Sequence, residues 1–261
     1  WASEQLDTAF ERAELTPALL IDMLYGDSDQ RRWMTKYVAK KYPQGAIGAA
    51  FWMRALDDHR QSDEYEASEA ALGALGKLPL SQIDPGWLMT ALTRDQIGES
   101  VGEWLQKADK LPAIDIERLK GFVFHPSYRA VALTVLGNAK LIKPRDLGLG
   151  WLLALARRAD ATLHAFAHRL LLEHMKPQDF DDRGDRAAGT ARLFALAAGD
   201  KEPEPVRVFA QTYLRCHHPT VGPEQPEAKE LSLTPALDRG AYTAERVWPM
   251  LLDGRADVRK F

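Results

Sequence analysis

The chain has 261 residues, 46% of them hydrophobic, with a formal net charge of −3 at pH 7 and a pI near 6.2. Apolar content is ample for burial, and the slightly acidic balance excludes a surface that is cationic throughout, as a nucleic-acid sheath would be. A single cysteine, Cys216, excludes an intramolecular disulfide and suits a reducing interior, and no apolar run reaches the roughly 18 residues of a membrane span.

Helix signals are dense along the chain and strand signals almost absent. Thr16-Pro17 reads as N-cap and first helical residue, opening PALLIDMLYG. Asp27 and Asp29 precede a helix through Arg31, where acids favour the positive helix end. Gly45 to Asp57 reads as an apolar helix holding Phe51, Trp52, Met53 and Leu56. Asp84-Pro85 and Thr93 read as further starts, and Lys143-Pro144 opens a helix holding Trp151, Leu152 and Leu155. Lys176-Pro177 and Glu204-Pro205 mark two more, a punctuation that suits short connections between stacked helices. HHPTVGPEQPEAKELSLTPALDRG, 217–240, breaks the rhythm with four prolines and reads as a long surface loop, with a binding loop as the alternative. The helical pattern resumes at TAERVWPMLLDG. The chain opens at Trp1 without Met and closes at Phe261 inside a patterned helix, so a fragment of a longer protein is expected.

One helix is written several times. In EPVRVFAQTYL, residues Val206, Phe209, Ala210, Tyr213 and Leu214 form a single apolar stripe, with Arg207 beside it and Gln211 pointing away. Tyr128, Val131, Ala132, Val135 and Leu136 fill the same slots, with Arg129 in place of Arg207. Leu163, Phe166, Ala167, Leu170 and Leu171 fill them again, with His164 in the Arg slot. Weaker copies carry Arg31 with Trp33, Met34, Tyr37 and Val38, and Gly102 with Val101, Trp104 and Leu105. ALGALG at 71–76 keeps only the tail, and Val258, Arg259 and Phe261 repeat the opening. The Arg-slot anchors fall at 31, about 65, 102, 129, 164, 207 and 259, spaced by 27 to 52 residues. Self-similarity at such a period marks a helical solenoid.

The form V-R-x-F-A-x-x-x-L, preceded by Asp or Pro and followed by L-G, resembles the second helix of HEAT-like repeats. The resemblance covers most of the chain; it is moderate over 125–174 and 203–217 and poor over 45–110. It implies an all-α fold, a right-handed α-solenoid of HEAT-like helix pairs, with repeats over 1–217, a Pro-rich surface loop over 218–242 and the start of a further, truncated repeat over 243–261. HEAT-like repeats carry no particular chemistry, so the resemblance implies an interaction scaffold without catalysis of its own. Some HEAT-like proteins, alkylation-repair DNA glycosylases among them, cradle duplex DNA on a basic concave face, which makes nucleic-acid binding the alternative. The closing region is also similar to parts of large bacterial multi-repeat proteins, some of which carry a WGR module; no WGR signature lies within these residues.

Candidate chemistry is sparse. RRWMTKYVAKKY carries Arg31, Arg32, Lys36, Lys40 and Lys41 with no acid from 30 to 42, and Arg32, Lys36 and Lys40 align along one ridge. Such a ridge reads first as a solvated face opposite Trp33, Tyr37 and Val38, neutralised by Asp27, Asp29, Asp57, Asp58, Glu64 and Glu66; as a site it would grip phosphates or another anionic partner, with Lys140, Lys143 and Arg145 in support. His164 and His168 stand one helical turn apart, a spacing able to hold zinc with Glu173 or His174, but Ala165 occupies the place of a metalloprotease Glu and the Arg slot predicts a structural role for His164. Cys216, His217 and His218 are adjacent, so their side chains diverge. Asp179, Asp181, Asp182 and Asp185 lack the spacing of a calcium loop and read as an acidic lead into a helix at 186–198. Motifs for nucleotide, phosphate-loop or serine-nucleophile chemistry are missing. No catalytic residue, cofactor or metal is assigned; the expectations are a protein partner, no membrane and a cytoplasmic location.

Overall fold

The computed structural model describes residues 15–41, 47–58, 60, 65–110 and 112–259, the side chains of 39–41 lying outside that description. Among the described residues the fold is all-α: sixteen α-helices, four single 3-10 turns and no strand. The chain divides into two compact units, 1–141 and 142–261, so the cut falls inside the stretch read as one array.

In the first unit, α1 (Pro17–Leu24) starts at an N-cap, Thr16, whose hydroxyl accepts the Leu19 amide. The Asp27 carboxylate accepts the amides of Asp29 and Gln30 and so opens α2 (Ser28–Lys41). There follow α3 (Ala49–Leu56), α4 (Tyr65–Leu75), α5 (Pro85–Ala91), α6 (Gly98–Lys107), α7 (Ile116–Phe122) and α8 (Arg129–Leu136). Asp84 caps α5 through the Trp87 amide at 2.7 Å. Thr93 opens no helix: it lies in the turn after α5, its hydroxyl donating to the Thr90 carbonyl.

The second unit holds α9 (Pro144–Leu147), α10 (Leu149–Ala156), α11 (Ala161–His174), α12 (Arg186–Ala198), α13 (Glu204–Cys216), α14 (Pro226–Glu230), α15 (Ala244–Leu251) and α16 (Ala256–Arg259). Gly148, at φ +81°, splits the helix expected from Lys143-Pro144 into α9 and α10, a left-handed turn that glycine takes without steric cost. Lys176-Pro177 opens only a 3-10 turn, Pro177–Phe180, and Asp185 caps α12 by accepting the Ala188 amide. The 217–240 stretch is more than a loop, containing α14 and a 3-10 turn at Gly222–Glu224.

Anchor helices and intervening helices alternate. The repeated pattern lies on α2, α4, α6, α8, α11, α13 and α16, and each packs against the helix before it in its pair: α1 on α2, α3 on α4, α5 on α6, α7 on α8, α10 on α11, α12 on α13, α15 on α16. Successive anchors also meet, α6 with α8 and α11 with α13 and α13 with α16. The stripe of α13 is wholly buried: Val206, Phe209, Ala210, Tyr213 and Leu214 are each 0% exposed. Burial of one such side chain contributes about 1.5–3 kcal/mol. Gln211 does not point away, as its place in the pattern suggests; it is buried and donates to the Ala197 carbonyl, because α12 covers that flank of α13.

Candidate interaction surface

The Arg slot is a joint between helices. Arg207 donates to the Glu202 carbonyl just before its own helix and pairs with Asp257 of α16; Arg129 likewise donates to the Val123 carbonyl at 2.9 Å. Arg31 pairs with Glu66 of α4 at 3.2 Å. At the same slot of α6, a Cβ on Gly102 would stand 2.6 Å from Val131 of α8, so close approach of the two anchors takes the place of the arginine. His164 fills the slot in α11 with Nε2 buried and unbonded, and Nε2 of His168 is in the same state, its ring set edge-on to Phe209. Burial lowers the basicity of His168, and the neighbouring His164 lowers it further while Glu227 raises it. Among the described residues no three His, Cys, Asp or Glu side chains gather as ligands for a metal ion. Cys216 is buried, its thiol pushed up to about 11 by desolvation, so it is a core residue rather than a reactive one.

The basic ridge is smaller than its sequence. Arg31 turns inward, 14% exposed, onto Glu66, and Arg32 and Lys36 face solvent; the side chains of Lys40 and Lys41, with Glu64 and Phe261, lie outside the described residues. In the second unit Arg145 is paired with Asp179.

A second joint was not visible as a motif. After α3, Asp58 and Arg60 close a ring in which the Arg60 amide and Nε donate to one carboxylate oxygen and Nη2 to the other. After α15, Asp253 and Arg255 close the same ring, the three contacts at 2.8, 2.9 and 2.7 Å. Each arginine then reaches back to the preceding intervening helix, Arg60 to Asp22 of α1 and Arg255 to the carbonyls of Ala198 and Gly199. The signal was present in the sequence as Asp-x-Arg, at 58–60 and at 253–255, but a spacing of two residues carries no meaning in a helix pattern.

Two hollows border the 217–240 stretch. One, of about 620 Å³, is lined by Glu173, His174, Lys176, Arg186, His217 and the segment 231–236. His217 ties that segment down, with Nδ1 3.1 Å from the Thr234 carbonyl and Nε2 3.0 Å from the Leu172 carbonyl. Carbonyls only accept, so the neutral ring satisfies one contact and the imidazolium both; burial nonetheless holds its basicity down against the two carbonyls, which raise it. The other hollow, a groove of about 510 Å³, runs along α15 between Arg215, His218, Val221, Tyr242, Trp248 and Leu251. Trp248 is 61% exposed there, and Leu252, which caps the end of α15 outside the groove, is 75% exposed.

Comparison with known proteins finds no matching family model, no matching curated relative and no matching solved structure.

Proposed function

We propose that the chain is a protein-interaction scaffold of HEAT-like helix pairs, each unit a right-handed α-solenoid, with no catalysis of its own. The observation that carries this reading is the alternation of anchor and intervening helices wherever the sequence repeats. Modules that bury a stripe against a neighbour grow by addition and offer a long surface to an extended partner. Exposed apolar residues support it: of seven large ones among the described residues, four, Val221, Trp248, Leu251 and Leu252, gather beside α15. A cytoplasmic setting goes with this reading, as does a single thiol kept in the core. Nucleic acid on the α2 ridge is the weaker alternative, because Arg31 is already paired.

Native mass spectrometry of the protein recovered from its source tests the scaffold. A stoichiometric complex with another protein is expected. A strictly monomeric chain that turns over a small molecule would defeat the reading, and a gel shift of duplex DNA that weakens steeply with salt would favour the alternative.

A further inference from the structure

Within the Pro-rich stretch, residues 231–236 form a built wall. The Leu233 amide donates to the Ala228 carbonyl and the Ser232 amide to the Lys229 carbonyl, with Ser232 at φ +52°, so a left-handed cap ends α14 and turns the chain toward the C-terminal end of α11. Polar contacts then fix the segment. His217 Nδ1 lies 3.1 Å from the Thr234 carbonyl, the Leu237 amide donates to the His217 carbonyl, and Arg186 donates to the Ala236 carbonyl at 2.7 Å. The opposite wall, 173–178, is anchored by the Tyr213 hydroxyl on the Met175 carbonyl at 2.8 Å. The hollow of about 620 Å³ between them is therefore preformed, and ordering it costs an incoming ligand little.

Its charges are unevenly used. Glu173, the one acid lining the hollow among the described residues, is met by Arg169 at 3.3 Å and by the ring of His174 at 3.7 Å. Arg186 is paired with Asp238, whose side chain is 81% exposed, and such a surface pair contributes little. Lys176 is exposed and has no acidic partner among the described residues.

We infer that the hollow binds a small organic anion, its oxyanion group against Lys176 and Arg186 and its apolar body along Leu231, Leu233 and Pro235. An oxyanion there gives Lys176 a counter-ion and accepts the planar fork of Arg186, which matches carboxylate and phosphate alike. A cation finds no equivalent, since Glu173 is already paired. The inference goes beyond the scaffold reading and does not depend on it.

Amide shift titrations of the isotope-labelled full chain with phenyl phosphate and phenylacetate, alongside benzyl alcohol and phenethylamine, test this. Saturable shifts confined to 173–178 and 231–236 are expected with the anions, at a Kd of about 1 mM or tighter. Stronger binding of phenyl phosphate assigns a phosphate ester, and stronger binding of phenylacetate a carboxylate. Lys176→Gln should weaken binding about tenfold and Lys176→Arg restore it, while Lys201→Gln, at another exposed lysine of the same unit, leaves it unchanged. The Lys176 side chain takes no part in fixing the wall, and unaltered shifts at 231–237 in the ligand-free variant check that the wall is kept. The absence of a saturable shift with either anion overturns the inference. So does an equal response to benzyl alcohol or phenethylamine, a response spread over every basic surface residue, or binding indifferent to Lys176→Gln. Each of these results leaves the scaffold reading in place.

Discussion

The guanidinium of Arg207 and the carboxylate of Asp257 meet at 2.8 Å between α13 and α16, with the two side chains 12% and 18% exposed. Arg207 also serves the Glu202 carbonyl, so one side chain fastens its helix to the turn before it and to the next anchor. Removing one partner of a fully buried pair costs about 3–5 kcal/mol, and partial exposure reduces that. Arg207→Ala is expected to cost about 2–3 kcal/mol in urea denaturation. A loss below about 0.5 kcal/mol would reduce the joint to an ordinary surface pair. Hydrogen bonding from Arg207 holds the Asp257 carboxyl below its usual range, so its contribution is present above the unfolded carboxylate value and is lost as pH falls through the folded one.

Glycine to alanine changes have opposite signs at two helical sites. Gly73 in α4 has open space at its Cβ position, so Gly73→Ala should stabilise by about 0.5–1 kcal/mol. On Gly189 in α12 a Cβ would fall 1.9 Å from the Pro177 carbonyl oxygen, a backbone atom that cannot swing aside. Gly189→Ala should cost about 2–4 kcal/mol by forcing α12 from the 3-10 turn at Pro177–Phe180. Paired thermal melts read both; a stabilised Gly189→Ala would show that the two elements separate freely.

Acid should weaken the second unit. Burial lowers the basicity of both His168 and His217. The unfolded chain therefore takes up these protons first, near the ordinary histidine value of about 6.5, and stability present above that pH is lost as pH falls below it. Melting temperature is expected to fall between about pH 7 and pH 5, and less so in His168→Leu. An unchanged slope in that variant would place the titration elsewhere. Hydrogen exchange at 231–237 reports separately on His217, whose contact with Thr234 spans that segment.

Arg255→Ala tests the second joint. It frees the Ala198 and Gly199 carbonyls at the end of α12 and opens the ring on Asp253, so a lower melting temperature is expected. Amide exchange in α15 and the last turn of α12 should quicken together. Quickening confined to α15 would show that the arginine does not couple them.

Much of the helical order was legible because its signals are local. Thr16, Asp27, Asp84 and Asp185 cap helices with amides two or three residues away. Thr93 and the 143–156 stretch were misread for the same reason: Thr93 has the chemistry of a cap without a helix behind it, and Gly148 turns left-handed between Leu147 and Leu149. The candidate surface was less legible. Trp248 and Leu251 fit an apolar stripe as well as any residue of α13, and nothing in the pattern separates a stripe that is covered from one that is not.

The sequence by itself determined that the chain is helical and, in α13, which residues form the buried stripe, since a period of 3.6 residues sorts side chains by face within a single helix; in α8 and α11 Ala132, Val135 and Leu136 and Leu163, Ala167, Leu170 and Leu171 are buried, while Tyr128, Val131 and Phe166 are only partly so. The tertiary structure decided which flanks are covered. It put Gln211 under α12, gave Arg31, Arg129 and Arg207 their partners, brought Gly189 against Pro177, and left Trp248 and Leu252 exposed. Those outcomes depend on segments from tens of residues away being brought alongside, and no spacing within one helix encodes what will lie next to it.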